Sequence, residues 1–328
     1  MDFDPLDDGW WRAGAWLNWW DSSRDNSDIG WVPNAGRARA YVTRHRRVAL
    51  SALGLAWSYR TVETGQMHAL DPRLPADGGA MLWRSLFALS LLDVGLPVMV
   101  GSRMSTTPGV AGFTAVRLPA YVKDIRPTLE ELGYNPVEIA SVGGTSSLRG
   151  RRQYDRHNLV TAQLAVAARR RGWMTCGEAW GSFAMLTGDP LRGQGGPDLQ
   201  LVGPSMRVCV ETTASGHMEL AGKTEQWKRM LALDSCADVH VVWLECSRVN
   251  LLNQIEGHIA DSPRMHAARA ADFLKDFTCT DGWSPEPGGG VEPRDWMEPA
   301  MADIGTRLGL PTAGSFRRPP ALKGLWLG

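Results

Sequence analysis

The stretch PDLQLVGPSMRVCVETTAS, residues 197–215, carries two acidic side chains at a spacing that suits metal-ion chemistry. It is typical of two short strands with a turn at Pro204-Ser205, and strand alternation then places Asp198 opposite Glu211 on one side of the ribbon. Facing carboxylates repel each other unless a cation or a proton lies between them, and Mg²⁺ binds one or two carboxylates together with phosphate oxygens. The alternative is that both acids are solvated at the ends of the hairpin. The other side of the ribbon is apolar: Leu199, Leu201, Val208 and Val210.

The segments around this hairpin predict an α/β core over residues 154–262. Helical spacing of apolar residues predicts helices in DRHNLVTAQLAVAARRRG, GKTEQWKRMLAL and VNLLNQIEGHI. Strands are predicted in WMTCGEAW and, fully buried, in DVHVVWLEC. The order α-β-β-β-α-β is that of a layered α/β domain, which would hold the hairpin in its sheet.

Residues 41–125 predict a small helical unit followed by a β-ribbon. Helices are predicted in RHRRVALSALGLAWSYR, in TGQMHAL and in GGAMLWRSLFALSLLDVG, the last ending at Gly95. The alternating stretch LPVMVGSRMSTTPGVAGFTAVRLP predicts a two-stranded wing. Three helices and a wing suggest a winged helix-turn-helix that binds DNA, with Arg84 as the cation of the third helix. Alternatively, this apolar third helix packs on protein.

Three other segments complete the organisation. Residues 1–40 form a Trp-rich arm with five tryptophans between positions 10 and 20. This arm is either pinned onto the body of the protein or a sister subunit, or it binds a partner, including stacked bases. Residues 126–153 are a linker with a short helix and the basic stretch GGTSSLRGRRQ. Residues 263–328 predict a helix in RMHAARAADFLKDF and a tail.

Composition limits the function classes. The 328 residues suffice for two domains, and a formal net charge of +0 means that any DNA contact must come from local basic clusters. The five cysteines form no CxxC pair and are expected to be reduced and buried. We expect a cytoplasmic protein, because we find neither a secretory leader nor an apolar run long enough to span a membrane.

The order of these motifs resembles a known nuclease core. A helix, a strand with Glu178, GPD, CVETT and a helix with Lys223 follow each other as in the PD-(D/E)XK fold. More narrowly, a winged-helix unit followed by RHNL, RRRGW, GE, GPDL, VCVET, K and W is similar to the replication-relaxation family of plasmids and other mobile elements. The resemblance covers residues 41–246 and is best over 155–246. It implies a winged-helix-like domain followed by a nuclease-like α/β core.

The resemblance also implies roles for individual residues. Asp198 corresponds to the metal-binding aspartate and Glu211 to the second acid, but Thr213 stands where the family has its lysine. Lys223, on the next helix, would replace that lysine and stabilise charge on the attacked phosphate. Gln226 resembles the helix glutamine of related nucleases.

The remaining site candidates are one acid and four basic or aromatic residues. Glu178 is a candidate third metal ligand, or else a surface residue. Phosphate or DNA contacts are expected from Arg84, Arg151, Arg152 and His157. The alternatives are solvated arginines at helix ends and a histidine that caps or packs against its helix.

These patterns together predict a DNA-binding and DNA-processing protein of a mobile element or phage. If its site is active, the protein is a Mg²⁺-dependent DNA endonuclease or nickase. The alternative is a catalytically inactive nuclease-fold protein that acts as a structural or protein-interaction module, with the Trp-rich arm binding a protein partner or a second copy.

Overall fold

The computed structural model describes residues 16–98, 114–119, 125–143, 155–187, 189–192, 195–213, 220–246 and 251–287. Its described residues form a mixed α/β fold with two sheets. The described residues form two compact units, and the division between them falls between Leu159 and Val160, inside the helix Asp155–Arg170.

The first unit contains a four-stranded antiparallel sheet of order β1-β3-β4-β2. Its strands are β1 (Trp16–Trp20), β2 (Thr61–Glu63), β3 (Asp93–Val98) and β4 (Ala115–Arg117). Its helices are α1 (Ala35–Arg44), α2 (Arg46–Tyr59), α3 (Thr64–Leu70), α4 (Met81–Ala88), α5 (Arg126–Glu131) and α6 (Pro136–Gly143), followed by the start of α7 (Asp155–Arg170).

The described part of the Trp-rich arm is pinned to its own chain. Strand β1 pairs with β3 and buries Leu17. The indole of Trp19 donates a 2.9 Å hydrogen bond to Asp155 and lies under the guanidinium of Arg117, 4.1 Å from ring centroid to Cζ. Residues 1–15 lie outside the described residues.

The third predicted helix is shorter than expected. Helix α4 ends at Ala88, where Ser90 takes a positive φ of 55° and turns the chain. Gly95, predicted to end the helix, instead lies in β3, and a Cβ there would come 2.9 Å from the Trp19 ring. The prediction was wrong because a strand pairing distant in sequence overrides the local helical pattern.

The predicted ribbon is part of this four-stranded sheet. Strands β3 and β4 pair antiparallel, with Gly95 opposite Ala115. Most of the loop of the predicted wing, residues 99–113, lies outside the described residues. The winged-helix assignment therefore stays a prediction.

The second unit is built on a five-stranded sheet of order β5-β6-β7-β8-β9. Its strands are β5 (Met174–Gly177), β6 (Leu199–Val202), β7 (Arg207–Thr213), β8 (Val239–Glu245) and β9 (Met265–Arg269). Its helices after α7 are α8 (Phe183–Thr187), α9 (Leu220–Leu231), α10 (Leu252–Ile259) and α11 (Ala270–Asp276). Strands β5 to β7 are antiparallel, whereas β7 to β9 are parallel because α9 and α10 each return the chain to the same edge.

The register predicted for the hairpin is confirmed. Strands β6 and β7 pair Leu199 with Val210, Gln200 with Cys209 and Leu201 with Val208. The polar side of the hairpin is nevertheless not solvated. Cys209 is part of a buried core that also contains residues of α9 and α10, so both faces of β7 are buried.

The predicted helix RMHAARAADFLKDF is half strand. Residues Met265–Arg269 form β9, which pairs with β8, and the helix begins only at Ala270. These residues have ordinary helix propensity, and parallel pairing with a buried strand overrides it. The second unit is thus one strand wider than the sequence predicted.

The cysteines are as predicted, since all five are free and buried. Among the helices of the described residues, none has the length and apolar character needed to cross a membrane.

Candidate functional site

Three acidic residues lie at the same end of β5, β6 and β7. Gly177 pairs with Leu199, and Leu199 pairs with Val210. Directly opposed residues of antiparallel strands point to the same face of the sheet. Each of these three paired residues has an acid as its direct neighbour in sequence, and we call these acids the acid row: Glu178, Asp198 and Glu211.

Glu211 is the most enclosed member of the acid row. It has no exposed surface, and both of its carboxylate oxygens accept hydrogen bonds from α9. Oε1 accepts a 2.6 Å bond from the indole N–H of Trp227, and Oε2 accepts one from the Lys223 ammonium. The Lys223 side chain keeps 31% of its surface exposed, so the ion pair lies at the boundary between core and solvent.

The spacing of α9 explains this double contact. Residues four apart lie on one face of a helix, so Lys223 and Trp227 both point to the strand below. Trp227 is itself fully buried and packs edge-on against Phe183, with ring centroids 4.9 Å apart. The indole is therefore fixed, and its N–H fixes the orientation of the Glu211 carboxylate.

Asp198 is held by the backbone of β7. Its N–H donates to the carbonyl of Val210 at 2.9 Å, and its Oδ2 accepts from the N–H of Thr212 at 2.6 Å. This geometry aims the half-buried carboxylate along β7 toward Glu211. Glu178, also half-buried, begins a short 3-10 turn directly after β5.

The electrostatics of the cluster confirm that these groups are close. Burial raises the pKa of Glu211 to about 7; the positive charge of Lys223 opposes this shift and Asp198 adds to it. Burial alone would lower the pKa of Lys223, but the negative charges of Glu211, Asp198 and Glu178 outweigh burial and raise it. Lys223 is therefore a permanent cation that contacts Glu211 and feels the other two acids.

Thr213, where the family has its lysine, is almost completely buried, at 1% exposure. It lies two residues after Glu211 and on the same face of β7. Its hydroxyl has no hydrogen-bond partner among the described residues. A buried hydroxyl without a partner is unfavourable, so this position is not optimised for stability.

The other predicted site residues lie in different surroundings. Gln226 is half-buried one turn after Lys223, and its amide nitrogen would be 3.6 Å from a Cβ built on Gly195. Arg84 donates through Nε to the carbonyl of Trp31 at 2.7 Å, which ties its guanidinium to the first unit. His157 is half-buried at the start of α7. Arg151 and Arg152 lie outside the described residues.

Sequence reasoning missed two residues at this end of the sheet. Trp227 completes the cradle of Glu211, and its spacing of four from Lys223 was a signal that could have found it. Glu245 lies next to Thr213 at the carboxyl end of β8, where it accepts from the N–H of Leu251 and lies 3.6 Å from Arg269. Its contacts stabilise the start of α10.

The arrangement does not fit a Mg²⁺ ion on Glu211. Oxygen donors are what this ion requires, and the acid row provides them. Both oxygens of Glu211 are nevertheless engaged by α9, and the Lys223 ammonium occupies the side at which a cation would bind. Among the described residues, no group of three His, Cys, Asp or Glu side chains is arranged to hold a metal ion.

A second titratable cluster, the histidine pair His240–His266, lies at the opposite end of this sheet, where His266 is buried and His240 is half-buried. Nδ1 of His240 is 3.1 Å from Nε2 of His266, whose Nδ1 is 2.7 Å from Asp281. The ring centroids are 5.4 Å apart with nearly parallel planes, as expected for an in-plane N–H···N bond rather than a stack. Trp283 covers both rings, at 3.8 Å from His266 and 4.9 Å from His240.

Comparisons with protein-family models, with curated proteins and with solved structures return no match for this chain.

Proposed function

We propose that this chain is a DNA-binding and DNA-processing protein of a mobile element or phage, similar to replication-relaxation proteins. In this proposal the first unit is winged-helix-like, and the second is a degenerate PD-(D/E)XK-like domain. The observation that carries the proposal is the direct contact between Lys223 and Glu211 at the acid row. It supplies, from the next helix, the cation that Thr213 does not provide.

The residues of the cluster would act on a phosphate electrostatically. Lys223 is positioned by Glu211 and keeps its charge, and 31% of its side chain reaches solvent. A fixed ammonium beside oriented acids is the kind of preorganised group that stabilises charge developing on a phosphodiester.

The experiment for this proposal separates binding from cleavage. We expect the purified chain to bind DNA with an affinity that falls steeply with salt, because phosphate contacts release counterions. Nicking of supercoiled plasmid is assayed with Mg²⁺ or Mn²⁺; if the site is active, Asp198→Asn and Glu211→Gln should abolish nicking while DNA binding persists. Absence of DNA binding even at low salt would overturn the proposal.

A second function is favoured by the complete burial of Glu211. A buried carboxylate whose two oxygens both accept hydrogen bonds is also expected in an ion pair that has only a structural role. In that case the chain is a catalytically inactive nuclease-fold protein that acts as a structural or protein-interaction module. The Asp198→Asn and Glu211→Gln variants would then change the free energy of unfolding alone, and no form of DNA would be bound or cut.

A further inference from the structure

The helix predicted to contact DNA, α4, is largely covered by the rest of the first unit. All 8 residues of Met81–Ala88 are buried or half-buried. Helix α1 packs against α4, and the cation of α4, Arg84, donates to the carbonyl of Trp31. If the first unit binds DNA, another element must present the cations.

Positive charge is concentrated on α1 and the start of α2. Residues 29–62 contain six arginines and neither Asp nor Glu, although the whole chain has a formal net charge of +0. Basic residues clustered along one helix are the electrostatic footprint of a nucleic-acid-binding surface. This segment is therefore the place in the first unit to look for phosphate contacts.

The exposed arginines of this segment fall into two groups. Arg39 is bound to Glu131, and the less exposed Arg46 is bound to Glu138. The exposed arginines without an ion pair among the described residues form what we call the basic face: Arg37, Arg44 and Arg47. Because Arg37 and Arg44 are nearly two helical turns apart, they lie on one side of α1, separated by about 10 Å along its axis. Each guanidinium can therefore reach a different phosphate.

The residues between these arginines favour a phosphate backbone over other partners. Apart from the arginines, the exposed residues of α1 are small: Ala35, Gly36, Ala40 and Thr43. Tyr41 is half-buried and packs against His45, with ring centroids 4.4 Å apart. Base stacking on single strands and insertion into a membrane both use exposed aromatic or large apolar side chains. Small side chains instead let a backbone come close, and arginine binds phosphate through a planar fork of donors.

We propose that the basic face of α1 and α2, rather than α4, binds the phosphate backbone of duplex DNA. The proposal rests on the proposed function, since it names the surface of the first unit that contacts DNA. Phosphate contacts position a protein on DNA without reading its bases. Removing them should therefore weaken binding equally on unrelated sequences.

The test measures the fluorescence anisotropy of two labelled duplexes of unrelated sequence, titrated with the full chain over a series of salt concentrations. The triple variant Arg37→Gln/Arg44→Gln/Arg47→Gln keeps good helix formers at exposed positions. Each phosphate contact contributes about 0.9 to the slope of log affinity against log salt concentration. We therefore expect the triple variant to reduce that slope by about 2–3 and the affinity at low salt by at least about tenfold on both duplexes.

Arg39→Gln is the matched control on the same helix. It removes the same charge, but Arg39 is bound to Glu131 and lies on another side of α1 from Arg37. Arg44→Gln alone should reduce the salt slope by about 1, whereas Arg39→Gln should leave it unchanged. Equal effects of these two single variants would overturn the proposal, because binding would then depend on net charge and not on the basic face.

The other outcomes separate this inference from the proposed function. A folded triple variant that binds duplex DNA with the affinity and salt slope of wild type contradicts this inference alone. A chain that binds duplex through the basic face but nicks no plasmid contradicts the processing part of the proposed function alone. A wild-type chain that binds no duplex at low salt contradicts both.

Two further measurements keep the result specific. Vesicles of phosphatidylserine and phosphatidylcholine are tested in parallel, and a triple variant that loses vesicle binding but keeps duplex binding would assign the basic face to lipid headgroups and overturn the proposal. Urea unfolding shows whether the triple variant is folded. If it is not, the comparison of Arg44→Gln with Arg39→Gln decides.

Discussion

The two ends of the second sheet accommodate titratable side chains in different ways. At the end where β7 and β8 finish, Glu211 is buried as part of a charged pair with Lys223. At the end where β8 and β9 begin, the half-buried His240 and the buried His266 form a hydrogen-bonded pair beneath Trp283, with Asp281 at its edge. The first cluster depends on a cation that a helix contributes. The second depends on hydrogen bonds between two imidazole rings and a carboxylate.

The difference lies in how each cluster offsets the burial of its polar groups. A buried ion pair is costly to desolvate and adds little net stability, so its presence at the carboxyl ends of parallel strands suits a functional site. The histidine pair instead fastens the segment around Asp281 to β9, where Thr280 also donates to Ala267. We therefore expect the two clusters to respond differently to substitution and to pH.

The largest effect should come from the lysine of the charged pair. Lys223→Met leaves a fully buried carboxylate without its countercharge, and we expect a loss of about 3 kcal/mol in the free energy of unfolding at pH 8. Lys228→Met removes an ion pair whose acids are largely exposed, and should change the free energy of unfolding far less. Denaturant unfolding of both variants measures the difference. Equal losses would show that the Glu211 pair is no stronger than a surface pair.

The next largest effect should come from Trp227, the second hydrogen-bond donor to Glu211. Trp227→Phe keeps an aromatic ring against Phe183 but removes the N–H that Oε1 accepts, which should cost about 1–3 kcal/mol beyond the loss of ring size. Trp243→Phe is the matched control, because Trp243 is equally buried and its N–H has no partner among the described residues.

The quantity to compare is the difference between the two tryptophan variants in urea unfolding. Both lose the same volume, so a common cavity term cancels. If Trp243→Phe is as destabilising as Trp227→Phe, the indole of Trp227 serves packing only and does not hold the carboxylate.

Sequence reasoning reached the acid row because a hairpin has local register. A turn at Pro204-Ser205 and period-two alternation suffice to oppose Asp198 and Glu211. The same reasoning could nominate Lys223 but not place it, because the rotation of α9 over the sheet depends on the crossover between β7 and β8. Strand β9 was missed for a related reason. Its pairing with β8 is non-local, and the pattern of its own residues predicts a helix.

The pH dependence of stability should have opposite signs at the two ends. Between pH 4.5 and about pH 7, the raised pKa of Glu211 makes the folded chain bind more protons than the unfolded chain. The contribution of Glu211 to the free energy of unfolding therefore falls as pH rises. Burial, then His266 and Arg264, lower the pKa of His240 below 6.5; the unfolded chain binds more protons there, so stability is lost as pH falls.

Two variants separate these contributions, each of which is at most about 1.4 kcal/mol per pH unit. Urea unfolding is measured from pH 5 to pH 8 for wild type, Glu211→Gln and His240→Gln. The difference between wild type and Glu211→Gln should decrease with pH, and that between wild type and His240→Gln should increase. Parallel trends in the two differences would contradict the opposite directions of the pKa shifts of Glu211 and His240.

The smallest effect concerns Thr213, the residue at the position of the missing lysine. Its buried hydroxyl has no partner among the described residues, so Thr213→Val removes an unsatisfied polar group with little change of shape. We expect the free energy of unfolding to rise by up to about 1 kcal/mol. Thr212→Val is the control on the opposite face of β7, where the hydroxyl lies 3.5 Å from that of Thr161, and it should be neutral or destabilising. A loss of stability in Thr213→Val would mean that its hydroxyl already has a partner in solution.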